Sequence, residues 1–240
     1  MMRILKNFIK KIVFKFIKPE QYISNTYSQA GEDAVMQFLF NETGISKPTY
    51  LDIGTNKPVD GNNTYLLYQY GSRGVCVEAD ETYIPLIKKS RPEDKVLNCG
   101  VVVDSTKELD FYIFDEKSIN TFDKEEAEKR QQLGTYKIVK VSKVKLLDIN
   151  TIIRDNFSTY PHLLSLDIEG LDLKVLQSLD LKKYPIPVIC TETCTYSENH
   201  IRPKDLSIQE FMLTVGYFVY ADTYINTIFV NSNWFNSVKK

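Results

Sequence analysis

The sequence predicts an α/β domain: a mostly parallel, Rossmann-like sheet with helices on both faces and an antiparallel C-terminal strand. Three observations carry that reading. From Pro19 onward, short apolar runs of strand length alternate with segments of helical period. Carboxylates stand at or near the tips of successive runs, at Asp52 and Glu78. The chain closes as helix, strand, strand, which suits an antiparallel pair at one edge.

Taken in order, Glu32 to Phe40 reads as a helix with Ala34, Val35, Phe38 and Leu39 as its apolar stripe. Thr49 to Ile53 is a short buried strand, and Asn62 to Tyr70 a helix opened by polar capping residues. Gly74 to Val77 is a second strand ending at Glu78, and Glu81 to Lys89 a helix that Pro85 kinks or shortens. Lys95 to Val103 is a third strand, followed by the β-formers of Leu109 to Phe114. Lys124 to Gln132 is an exposed helix, and Tyr136 to Val144 alternates in period two like a half-exposed strand. His162 to Ile168 and Val188 to Thr191 are buried strands around the helix Leu171 to Leu179. Gln209 to Val215, then G-Y-F-V-Y and T-I-F-V, complete the sheet. No internal repeat or linker divides residues 19–240, which read as one domain.

Composition narrows the partners. The chain has 240 residues, 30 basic and 31 acidic, with a net charge of −1, so a general nucleic-acid partner is not expected. That length buries a sizeable core without staples. Cys76, Cys99, Cys190 and Cys194 form no C-x-x-C pair and no disulfide framework; three lie in apolar runs, which predicts reduced thiols in the cytoplasm. The charge is uneven, however. Residues 1–18 carry Arg3, Lys6, Lys10, Lys11, Lys15 and Lys18 and no acid. Leu5, Phe8, Ile9, Ile12, Val13 and Phe16 share one helical face, while lysines interrupt the run too often for a membrane span or signal peptide. Two readings stand: a helix lying on the anionic inner face of a membrane, or one packed on the domain or on a second copy in a homo-oligomer.

Chemistry is expected beyond the carboxyl ends of the strands. The first strand ends in Y-L-D-I-G-T-N-K-P-V-D-G-N-N-T, residues 50–64. There Gly54 permits a tight turn and close ligand approach, or merely close packing, and Asp52 brings a carboxylate to the mouth. Glu78, at the next strand tip, is placed to accept both hydroxyls of a ribose. No G-x-G-x-x-G or G-K-[ST] follows, and Pro58 and Asp60 stand where a pyrophosphate wants bare N–H groups. An adenosine without phosphates, carrying an amino group for Asp52, satisfies these conditions: S-adenosylmethionine.

Five segments together are specific: Y-S-Q-A-G-E-D-A-V (27–35), L-D-I-G-T-N-K-P-V-D-G-N-N-T (51–64), G-V-C-V-E (74–78), L-S-L-D-I-E-G (164–170) and I-C-T-E-T (189–193). In this order they resemble the FkbM-type methyltransferases, within the class I S-adenosylmethionine-dependent methyltransferases; the resemblance begins near Tyr27 and leaves out the basic helix. It implies a seven-stranded sheet with the last strand antiparallel, and O-methylation of saccharides, polysaccharides or glycolipids. It also implies cofactor-binding roles: Asp52 and Gly54 by the methionine part, Glu78 on the ribose, Asn98 near the adenine, with Gln29, Asn56 and Asp167 among the cofactor positions.

A sugar hydroxyl attacking an activated methyl needs positioning and the loss of one proton. Asp167, Glu169 and Glu192 at adjacent strand tips are candidates for that base, and His200, in a polar loop, is another. The same acids could orient sugar hydroxyls, and no metal is expected. His162 is expected to be structural. The alternatives are an NAD(P)-dependent oxidoreductase on a similar sheet and a non-catalytic binding protein.

Overall fold

The computed structural model describes residues 25–116, 119–168, 170–194 and 203–238. The basic segment 1–18, Glu169 and His200 lie outside these. The chain opens with α1 (Glu32–Glu42), β1 (Tyr50–Ile53), α2 (Tyr65–Gln69), β2 (Gly74–Glu78), α3 (Ile84–Ser90) and β3 (Lys95–Asn98). An insertion follows: β4 (Gly100–Val102), β5 (Glu108–Phe114), α4 (Lys124–Gln132) and β6 (Ile138–Asp148). Then come α5 (Ile149–Asn156), β7 (Leu163–Leu166), α6 (Asp172–Ser178), β8 (Val188–Glu192), α7 (Ser207–Thr214), β9 (Tyr217–Asp222), β10 (Asn226–Asn231) and α8 (Ser232–Val238).

Seven strands form the main sheet in the order β3-β2-β1-β7-β8-β10-β9. The first five are mutually parallel, and β10 alone runs against its neighbours β8 and β9. Its inner strands are apolar on both sides because both faces are covered. Leu51, Ile53, Leu164, Leu166 and Ile189 pack under α5, α6 and α7. Tyr50, Leu163, Cys190 and Ile228 pack under α1, α2 and α8. Among the described residues, no helix is long and apolar enough to cross a membrane.

Three local expectations change. The run Lys95 to Val103 is two strands, because β3 pairs with β2 while β4 turns away to pair with β6. Of the two effects expected of Pro85, α3 is shortened rather than kinked: it starts at Ile84, and Pro85 sits in the first turn, where a missing N–H costs no helical bond. Asn62 does not open a helix, and Thr64, just before α2, makes no side-chain cap to it. Both side chains bond elsewhere, as described below.

The insertion forms a small sheet, β4-β6-β5. Its underside, Phe111, Ile113 and Val144, packs with Phe122 on Ala79, directly after Glu78. Asn120 Nδ2 donates to Asp80 Oδ2 at 3.1 Å and fastens it there.

Candidate functional site

Strand order reverses at β1: β2 and β3 lie to one side, β7 and β8 to the other. Such a switch point opens a crevice at the carboxyl ends of the strands. Gly54 stands at it with φ +79°, donating its N–H to Val77 O at 3.0 Å. Asp167 N donates to Ile53 O at 3.1 Å, tying the β7 tip to β1. A Cβ on residue 54 would lie 1.9 Å from Asp167 O, so any side chain would force the two tips apart. Close packing of β1 on β7 by itself requires this glycine.

Asp52 is 3% exposed, and its Oδ2 accepts from Thr64 Oγ1 at 2.8 Å, Asn62 Nδ2 at 3.1 Å and Arg91 Nη1 at 3.3 Å. Arg91 is fully buried and also donates to Asp94 Oδ2 at 2.8 Å, Thr64 Oγ1 at 2.7 Å and Asn62 Oδ1 at 3.1 Å. Tyr50 and Tyr68 present their rings to its guanidinium. Two buried carboxylates thus share one planar, five-donor cation. Through Oδ2, Asp52 pairs with Arg91 and fixes the loop 54–64. Arg91 went unread in the sequence, where K-S-R-P looks like the polar end of a helix.

Glu78, 7% exposed, ends β2. Its Oε2 accepts from Asn56 N at 2.7 Å, and its Oε1 from Asp80 N at 2.7 Å. Asn56 turns its amide there by adopting a left-handed φ of +50°. Burial pushes the Glu78 carboxyl up to about 7, against the pull of the two N–H donors, with the nearby charges of Asp80 and Asp52 adding to the rise. A carboxylate offers roughly four acceptor positions, and two backbone donors leave room for two hydroxyls. These residues therefore fit the ribose of an adenosine cofactor. Asn98 Nδ2 donates to Glu78 O at 2.9 Å and Ala79 O at 3.1 Å, so it holds the backbone that carries the acid.

The Q-A-G-E-D segment is a strap across this edge. Asp33 accepts from Tyr27 N at 2.7 Å and Ser28 Oγ at 2.8 Å, folding the segment on itself. Tyr27 O accepts from Asn62 N, and exposed Gln29 lies beside Gly61 of the loop. Glu32, fully buried, accepts from Thr223 Oγ1 at 2.6 Å and Asn226 Nδ2 at 3.0 Å in the β9–β10 region. Half-buried Glu192 ends β8 opposite Asn226. The structure brings Asp52, Gly54, Asn56, Glu78, Asn98 and Asp167 to the switch point and sets Glu192 one strand beyond Asp167. His162 Nδ1 meets Thr49 N at 3.1 Å, a strand-start contact away from this edge.

The model of the methyltransferase FkbM domain matches residues 52–219, well over half of the chain. No curated protein matches the sequence. Among solved structures, the chain is similar to the O-methyltransferase from Bacillus cereus in complex with SAH, at 14% identity and a TM-score of 0.41 over 92% of this chain and 95% of that one. It is similar also to a candidate O-methyltransferase from Klebsiella pneumoniae, at 10% identity and a TM-score of 0.43 over 93% and 96% of the two chains. A candidate caffeoyl-CoA O-methyltransferase from Staphylococcus aureus gives 11% identity and a TM-score of 0.43 over 92% and 91%.

Proposed function

The chain belongs to the FkbM methyltransferase family, and from that premise we propose that it is an S-adenosylmethionine-dependent O-methyltransferase. In our reading its acceptor is a hydroxyl of a saccharide, polysaccharide or glycolipid precursor, and it works in the cytoplasm, held to the inner membrane face by residues 1–18. The observation that carries the cofactor assignment is Glu78, a buried carboxylate at the β2 tip with acceptor capacity to spare beside the switch point.

When bound, the cofactor supplies a methyl activated on a sulfonium. The chain's own work is positioning and proton removal. Glu78 accepts the ribose hydroxyls, and the loop anchored by Asp52 and Arg91 holds the approach in place. To Asp167 and Glu192 we assign the orientation of the acceptor hydroxyl and the removal of its proton; Glu169 and His200 join them on sequence grounds.

The test is calorimetric titration with S-adenosylhomocysteine. Glu78→Ala should weaken binding by about 1–3 kcal/mol, since two hydroxyls lose a charged acceptor. Unchanged affinity in the folded variant would overturn the ribose assignment. A screen of glycan acceptors with methyl transfer as the readout then tests the substrate class.

A further inference from the structure

Three residues, 223–225, connect β9 to β10, and the middle one is Tyr224 with φ +75°. That left-handed region suits glycine or asparagine and is resisted by a bulky residue, whose Cβ crowds the backbone. The strained backbone is held from both sides. Tyr224 N donates to Asp222 Oδ1 at 2.8 Å, while Tyr224 O accepts from Lys204 Nζ at 2.8 Å and Cys194 Sγ at 3.0 Å. The residue is nevertheless 58% exposed. A position that would fold more easily with glycine thus carries a large, exposed aromatic residue, and such outliers concentrate where function requires them.

Its place in the fold is specific. β10 runs antiparallel to β8 with Asn226 opposite Glu192, so the turn stands at the carboxyl edge beside that acid. Thr193 N donates to Ile225 O at 2.9 Å, joining the turn to the segment just past β8. Thr223 and Asn226 are tied to Glu32, and the strap carrying Glu32 reaches the cofactor loop through Gln29 and Tyr27. The rim from Tyr224 to Gly61 is therefore continuous. A pyranose is the ligand such a rim suits, because its C–H face packs on an aromatic ring while its hydroxyls donate to carboxylates.

We propose that Tyr224 is an acceptor-contact residue, its ring the platform on which the saccharide stacks while Glu192, at the β8 tip opposite Asn226, accepts a hydrogen bond from a sugar hydroxyl. This rests on the saccharide methylation proposed above. The test uses the full chain and the variants Tyr224→Gly and Tyr224→Asn, both suited to a left-handed φ. Thermal melting should show no loss of stability, since relief of the left-handed φ offsets the greater freedom of the unfolded chain. S-adenosylhomocysteine affinity should not change. With that ligand saturating, saturation-transfer NMR against methyl glycosides of the common hexoses should find a binder for the parent protein, weakened about tenfold or more in both variants. A lower Tm in both variants would make the ring a structural partner of Lys204, 5.7 Å from its centroid, and overturn the proposal. So would unchanged glycoside binding. A parent that binds S-adenosylhomocysteine and no glycoside defeats the saccharide reading and Tyr224 with it, while one that binds neither defeats the cofactor reading first.

Discussion

At the scale of single residues, two buried charges behave in opposite ways. Burial raises Glu78 to about 7, above the unfolded carboxylate value of about 4.3, so the folded protein binds its proton more tightly than the unfolded chain does. The associated stability is fully present below about pH 4.3 and is lost as pH rises through about 7. Glu78→Gln, which cannot ionise, should therefore gain in Tm relative to the parent as pH is raised from 5 to 8; a constant difference across the series would contradict the raised value. Ribose hydroxyls favour the ionised acid, so S-adenosylhomocysteine affinity should rise over the same range, with proton release visible as a dependence of calorimetric heat on buffer. Arg91 is the reverse case, a cation fully paired where it is buried. Arg91→Met should cost about 3–5 kcal/mol in chemical denaturation, because Asp52 and Asp94 stay buried without their partner. Glu78 was legible in the sequence because a strand tip fixes where its acid stands. The pairing of Asp52 with Arg91 was not, since Arg91 lies outside every motif and meets Asp52 only when the chain past α3 folds back under β1.

Among the elements, the alternation of short apolar runs and helices was legible because a strand buried on both faces leaves a continuous apolar signature. What that signature hides is where a strand changes partner. Lys95 to Val103 reads as one run since both halves are apolar, and only pairing separates β3, on β2, from β4, on β6. The helix Ser232–Val238 was missed for a related reason: its Trp234 and Phe235 pack on the α1 side of the sheet, but S-N-W-F-N-S is too short and polar to display a helical period. Glu32 and Asp33 stand in the first turn of α1 and also close the strap. Glu32→Ala should leave Thr223 and Asn226 without their shared acceptor and destabilise the protein by about 1–3 kcal/mol. Hydrogen exchange should locate the loss at the β9–β10 turn and the strap, with β1 and β7 amides unaffected; uniform acceleration would mean that the strap is not a separate unit.

For the molecule as a whole, the parallel sheet could be read from the order of elements, but the switch point between β1 and β7 needed strand order, which pairing across a hundred residues decides. Charge is the other whole-molecule property, and its near-zero sum conceals an asymmetry. Six cations and no acid fall within residues 1–18, so the rest of the chain is net acidic and would be repelled by the anionic surface that attracts the segment. Each cation near such a surface contributes about 1 kcal/mol before screening. The apolar face from Leu5 to Phe16 adds burial among headgroups, which salt does not screen. The two contributions predict a signature that neither gives alone. The full chain should sediment with anionic vesicles at low salt, lose part but not all of that binding at high salt, and ignore neutral vesicles. A chain starting at Pro19 should stay in the supernatant while binding S-adenosylhomocysteine as before, since every residue assigned to the site follows Pro19. If both chains remain in the supernatant at low salt, residues 1–18 serve protein packing instead. If binding vanishes entirely with salt, the apolar face contributes nothing to attachment. Partial retention would place the switch-point crevice within reach of acceptors carried on lipid, the setting in which a glycolipid precursor is the natural substrate.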